Sequence, residues 1–451
     1  MSVPVTILLP EKVRYIINTI TKAGYEAYAV GGCIRDSILG QTPDDWDITT
    51  SASPYQVKKL FDRTLDTGLK HGTVTVMLDK EGFEVTTYRI DGDYEDGRHP
   101  KEVTFTANLI EDLKRRDFTV NAMAYNDHVG LVDAFDGVKD LNAKIIRCVG
   151  SPMERFSEDA LRMLRAVRFS ARLGYEIEPL TLSAIQKLAP NLVCISAERI
   201  QAELTKLVTS PHPENLRIAY ETGITRIIMP EFDVCMKTPQ NNPHHCYSVG
   251  EHILKSMNEI RSDKILRLAM LFHDIGKPIT QTVDENGIHH FHSHPIASEK
   301  IARTILKRLK FDNHTIFMVT NLVKYHDQKV LPEPKYVRRA IQRMGEDIFP
   351  LLYDVKLADL RAQSTYQRKE KEESLEAVYQ IYHQILCEKQ CVSLKTLAVS
   401  GKDLINYAGM EPGRELGEVL QKLLDMVIED PSLNERETLL KIVNNNTKEF
   451  K

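Results

Sequence analysis

Hydrophobic and polar positions change their period once along the chain. Between about residues 25 and 150 the apolar residues fall in short runs, "YEAYAVGG", "WDITT", "GTVTVML", "FEVTTYRI" and "LVDAFDG", broken by turns, which predicts β-rich structure. From about residue 151 they recur at helical spacing in longer stretches: "SEDALRMLRAVRFSARLGY", "SAERIQAELTKLV", "VGEHILKSMNEI", "LRLAMLFHDIG" and "LGEVLQKLLDMVIED". "GSPMERF" reads as the joint between the two textures, and the proline- and asparagine-rich "PEFDVCMKTPQNNPHH" as a second boundary. The order predicts an α+β chain: a mixed-sheet head with helices over 1–150, then an all-helical neck over 151–230, body over 231–375 and tail over 376–451.

Composition alters this picture little. With 42% hydrophobic and 27% charged residues the chain is built like an ordinary folded protein, and 451 residues suffice for two to four domains. A net charge of −4 supplies no overall basic field, so a polyanion must be held by local patches. The seven cysteines are odd in number and scattered, with no CxxC pair, which predicts a reducing compartment. "MSVPVTILLPEKVRYIINTI" lacks the basic start and long apolar run of a secretory leader. No uncharged stretch nears the roughly 20 apolar residues of a membrane span. A soluble, cytoplasmic protein with no membrane partner is expected.

Candidate chemistry begins at "PDDWDITT". Asp45 and Asp47 are one residue apart at the start of an expected strand, where alternate side chains share a face. Carboxylates held side by side repel one another unless a cation lies between them, and hard divalent ions take carboxylate oxygens. Upstream, Gly31 and Gly32 in "VGGCIRDSILG" follow one expected strand and open a helix. The free N–H groups of such a turn can cradle phosphate, with Arg35 one helical turn in. A GG turn alone is more often only a tight connection. "FEVTTYR" adds a third acid, Glu84, one predicted strand later. Three acids beside a phosphate-type turn suit a two-metal site that clamps a triphosphate and activates an attacking hydroxyl.

A second pattern follows in "EDALRMLRAVRFSARLGY". Asp159, Arg162, Arg165 and Arg168 are spaced by three and form one slanted row on a helix. An arginine row is often only a solvated face. Here, however, Asp159 can accept from an exocyclic amino group, while Arg162 can donate to ring nitrogen and carbonyl acceptors. Cytosine and adenine both present an amino group beside ring acceptors, whereas guanine and uracil present a carbonyl and a ring N–H there. Each mismatch leaves a polar group unpaired, at about 1–3 kcal/mol. The pair therefore accepts C and A and rejects G and U. In "ISAERIQAELTKLV", Ser196 has N-cap character, and Arg199 and Glu203 have the spacing of an i,i+4 pair, which points to a structural role.

As a set, "GGCIRD…DDWDITTSA", "FEVTTYR", "RRDFTVNAMAY" and "EDALRMLRAVRFSARLGY" resemble the class II nucleotidyltransferase family, over about the first 210 residues and in order. That family contains tRNA CCA-adding enzymes and bacterial poly(A) polymerases. The resemblance implies a head similar to that of polymerase beta, with Mg²⁺ on Asp45 and Asp47. Glu84 then assists the metal or takes the hydroxyl proton. Triphosphate contacts are implied at Gly32, Arg35 and Arg116, a protein template for CTP and ATP at Asp159 and Arg162, and further nucleotide contacts at Arg165 and Arg168. Residues 195–208 resemble the family's next motif, which supports the template helix. The loop "DGDYEDGRHPKEVTF" resembles the full-length form, which is shortened in enzymes that add only C. The expected reaction is therefore addition of C, C and A to the tRNA 3′ end from CTP and ATP, without a nucleic-acid template and with release of pyrophosphate. The alternative is an A-adding enzyme or poly(A) polymerase.

A further constellation lies downstream in "NNPHHCYSVGEHIL", "LAMLFHDIGKP", "FHSHPIASEKIA", "LVKYHDQ" and "KLADLRAQ". His245, His273, Asp274 and Asp359 resemble the ligand order of the HD phosphohydrolase superfamily. This implies a divalent metal in the body, with His294 and His326 available to a second ion and His252 packed or capping. Phosphatase or phosphodiesterase activity on cyclic or terminal phosphates follows as an expectation. The competing readings make this hydrolase the main activity, keep the helical body only as an RNA holder, or treat the whole chain as an RNA-binding scaffold. The tail, "LAVSGKDLINYAGMEPGRELGEVLQKLLDMVIEDPSLNERETLL", resembles that of bacterial nucleotidyltransferases. Gly401, Gly409 and Gly413 suit helix ends there, and the surface is expected to grip tRNA phosphates.

Overall fold

The computed structural model describes residues 6–91, 103–242, 244 and 246–445. Two compact units divide the chain, Met1–Asp233 and Val234–Lys451. Most of the loop at 91–105 falls outside the described residues, as does His245.

In the first unit seven strands form one mixed sheet. They are β1 (Ala27–Val30), β2 (Ile48–Thr50), β3 (Thr64–Gly68), β4 (Thr73–Leu78), β5 (Glu81–Thr87), β6 (Ala124–Asn126) and β7 (Gly130–Val132). Their order across the sheet is β3-β4-β5-β2-β1-β6-β7. Neighbours pair antiparallel except β2 and β5, which run parallel with Ile48 opposite Val85. The central strands β1 and β2 are buried along their whole length, as strands covered on both faces must be. Helix Glu11–Lys22 lays Val13, Ile16, Ile17 and Ile20, spaced by three or four, into the core. Gly31, at φ +86, turns the chain from β1 straight into helix Gly32–Ile38, a conformation that favours glycine.

Two expectations are corrected here. β2 begins at Ile48, so Asp45 and Asp47 lie in the extended approach to the strand rather than within it. The backbone carbonyl of Asp47 still accepts from the N–H of Val30 at 3.0 Å, so the pairing with β1 runs one residue past the start of β2, up to the Gly31 turn. The row from Asp159 to Arg168 is also not one helix. "GSPMERF" is itself helical, with Ser151 capping helix Pro152–Glu158 and proline at its first position. The chain then breaks at Asp159, whose backbone is extended at φ −143, before helix Leu161–Leu173. Asp159 Oδ1 accepts from the Leu161 N–H at 3.1 Å, so the acid satisfies a donor at the new helix start. That helix packs against helix Ala197–Val208.

The second unit is helical apart from one hairpin, Gln281–Val283 with His289–Phe291, among the described residues. Helices Val249–Asn258, Lys264–Phe272, His294–Arg308, Asn313–Tyr325 and Phe349–Ala362 enclose a core that includes Ile253, Leu268, Leu306, Leu322 and Val355. The C-terminal helices Gly401–Ala408, Arg414–Glu429 and Arg436–Asn445 form a separate cluster around Leu404, Leu423, Val427, Leu439 and Val443. Gly409, at φ +64, closes the first of them as expected. No helix among the described residues is long and apolar enough to cross a membrane.

Candidate functional site

Parallel pairing of β2 with β5 brings distant acids together. Since Ile48 pairs with Val85, the residues just before them, Asp47 and Glu84, come side by side, and each feels the other's charge. Desolvation raises the Glu84 pKa, and the charges of Asp47 and Asp45 raise it further. The Asp47 carboxyl is also raised, by desolvation first and by Asp45, with Arg116 opposing. The three acids thus form a field of negative charge that Arg116 offsets only in part, which a cation relieves. Among the described residues, three ligand atoms within 4.8 Å of one another occur only in the second unit. The head acids are a looser set.

Arg116 lies over the glycine turn. A Cβ on Gly31 would stand 2.9 Å from its Nη1. Its Nε is buried without a hydrogen-bond partner, and Nη2 is 3.7 Å from Asp112. Such a guanidinium has donors in reserve for phosphate oxygens. Arg35 is placed differently. It is buried, with Nε and Nη2 on Asp36 Oδ1 at 2.8 and 2.7 Å and Nη1 donating to Asn121 Oδ1 at 2.6 Å. Its guanidinium lies 3.6 Å from where a Cβ on Gly32 would stand, so it braces the turn.

From Arg35 a line of polar contacts runs towards the arginine row. Asn121 Nδ2 donates to Asp117 Oδ1 at 3.2 Å, and Arg165 donates to Asp117 Oδ2 from Nε and Nη2 at 2.8 and 2.6 Å. Burial would raise the Asp117 carboxyl, but Arg165 and Asn121 pull it down to about 2. Glu203 accepts from Arg168 Nε at 2.5 Å and lies 3.6 Å from Arg165 Nη1. Arg168 is buried over the Phe169 ring, 3.9 Å from its centroid. Arg165 and Arg168 are therefore tied into the protein, with about a third of the Arg165 side chain left exposed. Asp117 was not among the expected site residues. Its signal is its place directly after Arg116 in "RRDF".

The expected base-reading pair is also held. Arg162 donates to Glu158 Oε2 at 2.6 Å and to the carbonyls of Arg155 and Arg115 at 3.1 and 3.0 Å. Asp159 is gripped by Arg199 through Nη1 at 3.2 Å and Nη2 at 2.6 Å. Ser196 precedes helix Ala197–Val208 but makes no side-chain cap bond, which corrects that expectation. Arg199 and Glu203 reach across to Asp159 and Arg168 rather than to each other. The packed helix pair sets partly desolvated charges opposite them, where ion pairs are stronger than on an exposed helix face.

In the second unit, side chains from five helical segments converge. His252 Nε2 is 3.2 Å from His273 Nε2 and 2.8 Å from Asp359 Oδ1. Asp274 faces both ways, with Oδ2 at 3.3 Å from His273 and 3.5 Å from His252, and Oδ1 at 3.3 Å from His294 and 3.7 Å from His326. His294 and His326 bring their Nε2 atoms within 3.2 Å. The Nδ1 atoms of His273, His294 and His326 lie 2.7, 2.8 and 2.7 Å from the carbonyls of Met270, Phe291 and Val323. A carbonyl only accepts, so each of these Nδ1 atoms carries a proton and each Nε2 is turned into the cluster. Ring nitrogens 3.2 Å apart require a proton or a metal ion between them. Burial works to raise the Asp274 and Asp359 carboxyls, yet the imidazoles, with Lys277 beside Asp274, hold both well below the carboxylate range. Burial opposes a charge on His273, but Asp274 and Asp359 outweigh it and lift the imidazole to about 10. Lys277 Nζ sits 2.6 Å from Asp274 Oδ2.

This cluster holds His273, Asp274, Asp359, His294 and His326 as expected, and His252, read from the sequence as packed or capping, joins them beside His273 and Asp359. The signal lay in Ser248, which caps helix Val249–Asn258 and so places His252 one turn into it.

Comparison with known proteins covers nearly the whole chain. Residues 27–147 match the poly A polymerase head domain, 174–236 a probable RNA and SrmB-binding site of polymerase A, and 283–443 a tRNA nucleotidyltransferase domain 2. The chain is 34% identical to a CCA-adding enzyme of Limosilactobacillus reuteri, over 97% of each chain. It is 36% identical to that of Levilactobacillus brevis, over 96% of this chain and 97% of the relative. A crystal structure of the Bacillus stearothermophilus CCA-adding enzyme in complex with CTP superposes with a TM-score of 0.73 at 29% identity, covering 98% of this chain and 99% of the other. The Thermotoga maritima CCA-adding enzyme complexed with tRNA shares the fold, with a TM-score of 0.59 at 18% identity over 97% and 96% of the two chains.

Proposed function

From the chain's membership of the CCA-adding enzyme family, we propose that it completes tRNA 3′ ends in the cytoplasm, adding C, C and A from CTP and ATP with release of pyrophosphate. Asp45 and Asp47 would hold Mg²⁺, which when bound neutralises the triphosphate and favours ionisation of the attacking hydroxyl. Arg116 and the Gly31–Gly32 turn receive the phosphates, with Arg35 bracing the turn from behind. Glu84, its pKa raised by its surroundings, is suited to take the proton of the tRNA 3′-hydroxyl. Asp159 accepts from the amino group of cytosine or adenine, and Arg162 donates to the neighbouring ring acceptors. Arg165 and Arg168 keep that helix in place and add positive charge near the nucleotide.

The observation that supports this reading most directly is Asp159 and Arg162, each fixed by a partner of opposite charge, in the unit that carries the acids and the glycine turn. The test offers labelled CTP and ATP, separately and together, to a tRNA transcript lacking its last three nucleotides. CTP alone should extend it by two residues, and both together by three. Incorporation of AMP alone, elongation of arbitrary RNA, or equal use of GTP or UTP overturns the reading.

A second reading concerns the helical unit. We infer that His252, His273, Asp274 and Asp359 are ligands for one divalent ion and that Asp274, His294 and His326 serve another, as a metal-dependent phosphohydrolase acting on terminal or cyclic phosphates. An ion bound there supplies a nucleophilic water at neutral pH. The support is the facing Nε2 atoms, with Nδ1 of His273, His294 and His326 committed to backbone carbonyls. Lys277 and the imidazoles keep Asp274 in its ligand form. Metal analysis of the purified chain should find divalent ions that the His273→Ala, Asp274→Ala protein lacks, and the variant should lose hydrolysis of such phosphates. Full hydrolysis by the variant overturns it.

A further inference from the structure

Asp359 turns Oδ1 to His252 Nε2 at 2.8 Å, while its Oδ2 accepts from Gln363 Nε2 at 3.1 Å. The other end of that amide, Oε1, lies 3.5 Å from Lys371 Nζ, and the ammonium donates to His244 Nδ1 at 3.1 Å. One side-chain amide therefore separates the imidazole cluster from two basic groups that take no part in it. Lys371 is half-buried in helix Arg368–Cys387, and among the described residues no carboxylate pairs with it. An ammonium has three donors, of which two are engaged. Because His244 accepts at Nδ1, its proton is on Nε2, for which no acceptor occurs among the described residues. Burial lowers the pKa of both groups, and the nearby charge of Lys329 lowers them further, with Asp359 opposing at Lys371. Positive groups gathered out of water in this way are relieved by an anion. The Tyr366 ring meets His244 edge-on, with centroids 4.9 Å apart, and half of it is exposed. The corner is fixed by Ser364, whose N–H donates to the His244 carbonyl at 2.9 Å and whose Oγ accepts from Tyr366 N–H at 3.3 Å.

We propose that Lys371 and His244 bind the phosphate of the substrate brought to this cluster, and that Tyr366 stacks with the base of the nucleotide that carries it. The inference rests on the reading of the cluster as a metal-dependent phosphohydrolase. Lys371 supplies charge and its spare donor, and His244 supplies the Nε2–H. Metal ligands alone accept any phosphate ester. An exposed aromatic face beside phosphate donors favours an ester attached to a nucleoside, since every base has a face to stack.

The test uses the full-length protein as purified, with the metal content of each preparation measured. Hydrolysis of adenosine 3′-monophosphate and of glycerol phosphate is followed for the wild type, Lys371→Met, Lys371→Arg and Tyr366→Ala, and binding of inorganic phosphate is followed by calorimetry. Lys371→Met should keep its metal, raise KM for both esters about tenfold and weaken phosphate binding by a like factor, with kcat within about threefold of wild type. Lys371→Arg, which keeps the charge, should recover most of the loss. Tyr366→Ala should raise KM for the nucleotide about fivefold and leave glycerol phosphate within about twofold. Unchanged phosphate binding in a metal-replete Lys371→Met protein overturns this inference alone, as does loss of metal from that variant or an equal effect of Tyr366→Ala on both esters. A wild type that holds no metal and hydrolyses neither ester overturns the phosphohydrolase reading and the inference with it.

Discussion

Asp117 grips Arg165 with one carboxylate oxygen, at 2.8 Å to Nε and 2.6 Å to Nη2, and leaves its other oxygen to Asn121 at 3.2 Å. Asn121 in turn accepts from Arg35 at 2.6 Å. A single acid, which itself touches no expected ligand, therefore ties the helix that carries Arg162 to the turn that carries Gly31.

Removing that acid should act on both ends. Asp117→Ala leaves Arg165 and Asn121 without their shared partner. The expected cost is about 2 kcal/mol, below that of a fully buried pair because Arg165 keeps some contact with water. Denaturant unfolding should report that loss. Steady-state kinetics should show kcat/KM falling about tenfold or more for CTP and ATP alike. Asp117→Asn, which keeps a hydrogen bond to Arg165, should lose less of each.

The same residue sets an acid limit. Asp117 titrates near 2 in the folded chain and near 3.9 when unfolded, so between those values the unfolded chain binds more protons. Its contribution is complete above about pH 4 and is lost as the pH falls towards 2. Unfolding midpoints measured from pH 6 down to pH 2 should drop less steeply in Asp117→Asn than in the wild type over that interval.

Gly31→Ala should damage nucleotide binding before it damages the fold. The new methyl group stands 2.9 Å from Arg116 Nη1, and the backbone at φ +86 is strained for alanine. Arg116 must withdraw from the turn. KM for CTP and ATP should rise about tenfold, with a stability loss of about 1–2 kcal/mol by thermal unfolding.

Chelation should destabilise the helical unit. If divalent ions join the facing imidazoles, their removal takes away the bonds that tie His252 to His273 and His294 to His326. Calorimetry after exhaustive chelation should show a thermal transition lower by several degrees that returns on adding back metal. His294→Ala should shrink that shift, and an unchanged transition would remove metal from the account of this cluster.

What could be read along the chain was local. The glycine pair, the two aspartates beside Trp46 and the spaced arginines each occupy a few consecutive positions, and the change from short apolar runs to helical spacing was enough for the α+β order. What escaped reading depends on distant partners. Arg199 meets Asp159 from 40 positions away and His252 meets Asp359 from 107, distances at which no periodicity carries information.

The position of β1 bears on how the protein is made. β1 lies between β2 and β6, and the N–H of Gly31 donates to the carbonyl of Met123 at 3.1 Å. A nascent chain leaving the ribosome therefore exposes one side of β1 until Ala124–Asn126 has emerged, long after β1 to β5 are free to pair. Truncated products that stop before Met123 carry a bare sheet edge and an unsupported phosphate turn, and should be sticky and quickly degraded.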